Sequence, residues 1–474
     1  MQTILTDRHR EPDRAELEQF LAACQEEAVD DGRGKLVSIV RAVEPLDPLA
    51  VLQSIYEVDE WHAFIEQPEA DWAVAGAEAV VLQRASGPDR LTQLKRWGEA
   101  LYADTIRVGD TETPFAGPLV FCGVPFFAED ARAADFPEAV AFVPRWQVAR
   151  AGIQGTAVAN IWVTPEADIQ ALSDRVWAAY ERFSGFDYSR ATPAAAPLLK
   201  ATEEVAPEAP YASRVAAALD EIGGGAVEKI VVSRALDLTF AEDLRPLETV
   251  HRLRERFPRC FAFSLENETG TSFIGASPER LVKLHGGRLF TEALAGTEPR
   301  GQTLAEDARL ARQLLASEKD RREHAFVVRS IERRLQPLGI TIEAGEPALL
   351  RLANVQHLRT PLAATVTNGT HVLDLAAALH PTSAVGGTPR EAALARLPGL
   401  EPFPREIFAG LVGWFDHAGE GEFAVALRSA RVRGATARLF AGAGIVAGSQ
   451  PTKEHAETDA KLQALRAAIA PEKA

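Results

Sequence analysis

The sequence is poor in cysteine. It holds three in 474 residues, Cys24, Cys122 and Cys260. None stands in a CxxC pair or at a metal-ligand spacing, which leaves no cysteine-based metal centre or disulfide framework and points to reduced thiols in a cytoplasmic protein. Long apolar runs are missing too. No stretch approaches the ~20 residues that span a bilayer. The opening MQTILTDRHREPDRAE is polar and charged, unlike a signal peptide. Basic charge is in deficit, with a net charge of −16. A nucleic-acid or anionic-membrane surface needs clustered Lys and Arg, so neither partner is expected. An anionic substrate stays open, because a few basic residues inside a pocket outvote the surface locally.

What is present is an ordinary globular balance, 46% hydrophobic and 25% charged, enough for a sizeable core. Residues 36–43, 72–83, 118–127 and 139–149 read as strands, being apolar or β-branched and punctuated by Gly or Pro. The Pro/Ala-rich stretch 192–210 reads as a linker, dividing the chain into 1–205 and 206–474. Beyond it, 211–222 reads as a helix ended by glycines, 229–240 as a strand and 248–257 as a helix. Strand-like runs follow at 261–266, 272–276, 280–285 and 288–294. A long helical region covers roughly 303–336. EFAVALRSARV and ATARLFAGAGIVA form a hairpin around Arg433–Gly434, and a helix closes the chain at about 452–470. Helices interleaved with antiparallel meanders predict a layered α/β fold with mixed or antiparallel sheets.

Two helices carry acids beside their core faces. In SEKDRREHAFVVRSIERRL, the residues Val327, Val328, Ile331 and Leu335 share one stripe at ~100° per residue. Asp320 and His324 project from it, and Glu323 sits on its border. In the closing helix Thr458, Leu462, Leu465 and Ile469 form the stripe, with Glu454, Glu457 and Lys461 along its edge. A buried carboxylate is costly unless it is paired or binds a metal. Two such helices suit one Mg²⁺, which takes one or two carboxylates, waters and oxygens of an anionic ligand. Solvated acids with Lys or Arg partners fit the periodicity equally.

Single residues also stand out. Lys229 opens an Ile/Val strand, where Lys is depleted; it is either a snorkelling edge residue or a desolvated general base. Glu279, in the turn GASPER, is either a surface acid or a presented one. Arg428, in AVALRSARV, is a salt-bridging edge residue or an anion clamp. The glycines of AGAGIVAG allow close strand packing or backbone approach to an anion.

Taken in order, KIVVSRAL, GASPERLV, TEALAGTEPRG, SEKDRREH, VQHL, LHPTSAVGGTPR, EFAVALRSA and FAGAGIVAGSQPTKEHAETDAK resemble the chorismate-utilising enzymes. These segments span about 229–461. More loosely, RAVEPLDPLAVL resembles the N-terminal part of menaquinone-type isochorismate synthases. The resemblance implies a large two-sheet α/β sandwich with outer helices. It implies Glu323 and Glu457 as Mg²⁺ ligands supported by Glu454 and Asp320. Arg428, Gly442 and Lys461 fall where the family holds the substrate carboxylates, and Gly296, Thr297 and His357 line the pocket.

Three positions sort the chemistry within that resemblance. Lys229 stands where water-using members carry a general base and nitrogen-using members usually carry Gln or an Ala-like residue. Ala295 stands where aminodeoxychorismate synthases often carry a nucleophilic Lys. Ala384 stands where salicylate synthases tend to carry Thr. The implied reaction is chorismate to isochorismate, with Lys229 as base and Glu279 as acid. The implied protein is a cytoplasmic monomer feeding the next isochorismate-using enzyme, in menaquinone or siderophore synthesis. Salicylate synthase and a silent chorismate-binding protein are the competing readings.

Overall fold

The computed structural model describes residues 13–184, 195–352, 355–367 and 369–471. Residues 1–12 of the polar leader and 192–194 of the Pro/Ala stretch lie outside the described residues. Among the described residues the chain forms 21 strands and 11 α-helices, the α/β class expected. The pairing of Val37 and its neighbours with Ile106 is parallel. The ladders that carry the site below are antiparallel.

One long ribbon explains the architecture. The strand Trp72–Ala85 runs beside Ala139–Ala151 over its whole length. The second of these changes partner on its other edge: Val140, Ala141 and Phe142 face the strand Val120–Val124, and Trp146 onward faces Gln154–Val163. Register shifts between Ala79 and Val81, next to Glu78 at φ +62°. A bulge of this kind bends a ribbon and raises its twist. The ribbon therefore passes from one sheet into another and joins them. The first sheet continues through His62–Gln67, Phe261–Glu266, Thr271–Ser277, Ser429–Arg433 and Thr436–Val446 to Lys229–Phe240. The second continues through Leu411–Phe415, Gly421–Val425, Arg280–His285 and Arg288–Pro299 to Val355–Thr365.

Side-chain alternation then places two cores. Phe261, Phe263 and Leu265 enter the core shared with Val120, Phe121, Leu411 and Leu281 of the second sheet. Ala262, Phe64 and Ile274 point the other way, against Val250, Leu253, Leu462 and Leu465 of the covering helices. A sheet buried on both faces reads as near-continuous apolar sequence. Burying each Phe or Leu here contributes roughly 1.5–3 kcal/mol.

Three expectations need correction. The helical region at 303–336 is two helices, Leu304–Ala316 and Glu318–Leu335. Ser317 breaks them with extended backbone, then caps the second by accepting from the Asp320 N–H at 3.2 Å. EFAVALRSARV is not one strand, because Arg428 leaves the ladder at φ +46°. The stretch 192–210 is not all linker: Leu199–Glu204 pairs as an edge strand with Lys229–Phe240. The segments on either side of residue 205 share ladders, as in Ala262 with Glu66 and Leu411 with Val124.

Candidate active site

The site begins where the strand Lys229–Phe240 meets Thr436–Val446. Val446 faces Lys229, Gly444 faces Val231 and Gly442 faces Ser233. A Cβ on Gly444 would meet Lys229 Cε at 2.7 Å. Glycine there makes room for the lysine stem, which settles one role of the AGAGIVAG stripe. Lys229 is not a solitary desolvated lysine: its Nζ donates to Glu323 Oε1 at 2.9 Å. The side chain is 15% exposed. Gly444→Ala is expected to displace the amine and lower turnover by about 10- to 100-fold, the scale of a misplacement near 1 Å. Steady-state kinetics of the variant, with substrate affinity measured separately, checks this; an unchanged turnover would mean that the stem does not need this space.

Glu279 follows the strand Thr271–Ser277 and is buried, 6% exposed. Its carbonyl accepts from the Val425 N–H at 3.0 Å, and its own N–H donates to Ser277 Oγ at 3.2 Å. The backbone is thus pinned while the carboxyl faces inward. Burial pushes that carboxyl up from its ordinary 4.5 to about 7, and the negative charge of Glu292 adds to the rise. The Thr382 hydroxyl, in a long contact of 3.5 Å, and the Lys229 charge pull the other way. Lys229 and Glu279 therefore feel each other. Ala384 sits beside them, its N–H donating to the same Thr382 hydroxyl at 3.3 Å.

A basic corner adjoins this pair. Arg428 sits between the strands Gly421–Val425 and Ser429–Arg433, in left-handed backbone that a non-glycine residue adopts at a cost of about 1–3 kcal/mol. Its carbonyl accepts from the Ala276 N–H at 3.1 Å, which fixes it. Its guanidinium lies over the Phe257 ring and 3.9 Å from Cys260 Sγ. His357 is buried and held down to about 3, by burial first and then by the charges of Arg428 and Lys461. It is neutral at physiological pH. Thr297 lies opposite it across the ladder, with Oγ1 2.9 Å from His357 Nδ1. Gly296, at φ +75°, forms the bulge beside Thr297; a Cβ there would stand 3.2 Å from Asp320 Cβ. Lys461 donates to the Gly442 carbonyl at 2.8 Å and to Glu457 Oε1 at 2.7 Å.

The expected metal ligands lie at this edge, each acid facing protein partners. Glu323 meets Lys229, and Glu457 meets Lys461. The Asp320 carboxylate accepts from the Ser317 hydroxyl. The charges of Glu454 and Glu457 both push the Tyr211 phenol up, after burial. Among the described residues, no three His, Cys, Asp or Glu side chains converge closely enough to hold a metal ion by themselves. The donor set fits Mg²⁺ in the form that uses two carboxylates and fills its other positions with water and ligand oxygens. In this arrangement lysine ammonium groups match the charge that such an ion would take over.

A model of the family described as chorismate binding enzyme matches residues 19–470. The chain belongs to this family. It is 31% identical over 450 residues to isochorismate synthase MenF of Bacillus subtilis, covering 92% of this chain and 94% of that one. It is 34% identical over 447 residues to the salicylate biosynthesis isochorismate synthase of Pseudomonas aeruginosa, covering 94% and 92%. Among solved structures, MenF, the menaquinone-specific isochorismate synthase from Escherichia coli, superposes with a TM-score of 0.76 at 26% identity, over 95% of this chain and 99% of that one.

Within this chorismate-binding chain some site neighbours escape a reading of the sequence. Thr382 lies in the quoted motif HPTSAVGG, but nothing in that motif says that its hydroxyl faces Glu279. Glu292 lies in the quoted motif TEALAGTEPRG, but nothing in that motif says that it is buried against the Arg280 N–H and Arg359. A cavity of about 1300 Å³ lies elsewhere, between 39–47, 56–62 and 175–183, and none of these site residues lines it.

Proposed function

We propose that this chain is an isochorismate synthase, an isomerase that converts chorismate, with its hydroxyl on C4, to isochorismate, with its hydroxyl on C2. The observation that carries the reading is Glu279: a buried carboxyl raised to about 7, within electrostatic reach of Lys229. A general acid must be protonated at the working pH, and this one is poised there.

In this mechanism Lys229 takes a proton from water. The water oxygen bonds to C2 of the ring, the ring double bonds shift, and the C4–O bond breaks. Glu279 gives its proton to the departing C4 hydroxyl, which leaves as water. To take up the water proton Lys229 must first leave Glu323 and release its own ammonium proton, to that carboxylate or to solvent, because only the neutral amine has a lone pair to accept another. Arg428 and Lys461 hold the substrate carboxylates, and neutral His357 with Thr297 supplies hydrogen bonds at the pocket wall. Mg²⁺, held through Glu323 and Glu457 with Glu454 and Asp320 supporting, would neutralise substrate carboxylate charge and fix its position. Positioning dominates, because the substrate is rigid and water is a weak nucleophile.

The product reading rests on Ala384. A Thr there would offer a hydroxyl to the enolpyruvyl arm and favour elimination of pyruvate; Ala does not. Incubation with chorismate and Mg²⁺, followed by NMR, is expected to give isochorismate with little salicylate. A lactate dehydrogenase assay is expected to detect little pyruvate. Stoichiometric, enzyme-dependent pyruvate would make the protein a salicylate synthase, and binding without turnover would make it a silent binder. We place the enzyme in menaquinone synthesis, as a cytoplasmic monomer whose reversible reaction is drawn onward by the next isochorismate-using enzyme. No described helix is long and apolar enough to cross a membrane.

A further inference from the structure

Behind the site lies an ion pair whose side chains are 0% exposed, Arg405 with Glu401. It is bidentate: Nε donates to Glu401 Oε2 at 2.8 Å and Nη2 to Oε1 at 2.6 Å. The remaining donors leave the pair. Nη2 also donates to the Val231 carbonyl at 2.6 Å, and Nη1 to the Val385 carbonyl at 2.9 Å. Glu401 Oε1 accepts from the Ser233 N–H at 2.7 Å. The guanidinium stands 4.3 Å from the centre of the Phe126 ring.

These contacts join two segments of the site. Val231 lies two residues beyond Lys229 on the same strand, and Val385 follows Ala384 in the loop whose Thr382 touches Glu279. Backbone pairing supports the junction, since the Val231 N–H donates to the Gly386 carbonyl at 3.0 Å and Gly387 faces Ile230. Backbone ladders slide and twist; a planar guanidinium with fixed donor directions does not. A buried ion pair is weak evidence for stability, because apolar side chains of similar volume often serve as well. Its presence here asks for a reason of geometry.

We propose that Arg405 is a positioning residue for the reaction. With Glu401 it sets the distance between the Lys229 strand and the loop at 382–385, and so between the base, the acid and the side chain that meets the enolpyruvyl arm. The inference rests on the reading of Lys229 and Glu279 as base and acid.

The test is Arg405→Lys, which keeps a charge beside Glu401 but loses the fork that spans both carbonyls. The decisive measurement is the single-turnover rate constant with enzyme in excess over chorismate, taken at the plateau reached as enzyme concentration rises, in saturating Mg²⁺. That constant does not depend on the fraction of molecules folded, so a merely structural role would not move it. It is expected to fall about tenfold or more while KM stays within about threefold, because Arg428 and Lys461 lie outside the junction. A rate constant within twofold of the parent would overturn the proposal. Should Arg405→Lys fail to fold, the double variant Arg405→Met with Glu401→Leu removes both charges together, and the same loss of rate is expected. If neither folds while Lys229→Ala does, the pair serves the fold alone and the proposal falls. Undiminished turnover in Lys229→Ala would instead sink the acid–base reading, whatever the Arg405 variants do.

Discussion

Glu279→Gln is expected to lose at least ~10²-fold in turnover, the lower range for general acid catalysis, and to keep most of its affinity for chorismate. Gln fills the same space but cannot give a proton to the departing C4 hydroxyl. Lys229→Ala is expected to fall by a similar factor for the complementary reason. In the parent, activity should decline as pH rises through about 7, where Glu279 loses its proton. Stability carries the same signature. A carboxyl raised from 4.5 on folding contributes stability that is full below 4.5 and lost as pH rises through about 7. The difference is about 3 kcal/mol at 1.4 kcal/mol per tenfold, so Glu279→Gln should be more stable than the parent above pH 8, relative to pH 5. Denaturant midpoints at the two pH values measure this. Turnover equal to the parent would remove Glu279 from the mechanism; an unchanged pH dependence of stability would show that its carboxyl is not raised.

The sequence made part of this site legible because the relevant signals are local. The apolar stripes of the two acid-bearing helices are buried as their periodicity predicts, with Val327, Ile331, Leu335, Leu462 and Leu465 inside. Lys229 was visible as a charge opening an apolar strand. Its pairing with Glu323 was not, because the two are 94 residues apart and pairing across a fold leaves no local pattern. The strand His62–Gln67 was missed for a related reason. Its His62 and Glu66 are buried, Glu66 against Arg254 and His62 with Nε2 3.0 Å from Ser264 Oγ, so the polar residues that break its apolar pattern meet partners distant in sequence. The strand Val355–Thr365 contains Pro361, which argues against a strand. The proline ring removes one ladder donor, while its carbonyl still accepts from the Gly345 N–H at 2.9 Å. The turn at Arg428 was hidden because the left-handed region favours glycine, and no composition signal marks an arginine held there by its neighbours. Arg405 and Glu401 read as an ordinary charged pair four residues apart; only the fold shows them closed off from water.

Removing either Glu323 or Glu457 is expected to abolish turnover and leave a folded protein. Each lies on a helix edge whose apolar stripe is intact without it, and each is partly exposed, at 34% and 38%. Losing a partly exposed ion pair costs the fold about 1 kcal/mol or less. The effect on the reaction should be far larger, because the substrate then loses the ion that would hold and neutralise its carboxylate. The measurement that separates metal binding from a general charge effect is thermal stability against Mg²⁺ concentration. A protein that binds Mg²⁺ in its folded form alone gains about 2.7 kcal/mol at a hundredfold excess over Kd. The parent should show this rise, and Glu457→Ala and Glu323→Ala should not. Gln at either position keeps one oxygen donor and loses the charge, so a weak rise displaced to higher Mg²⁺ is expected there. Near-normal activity of Glu457→Ala at low Mg²⁺ would show that the acids serve their lysines and that the ion is held elsewhere.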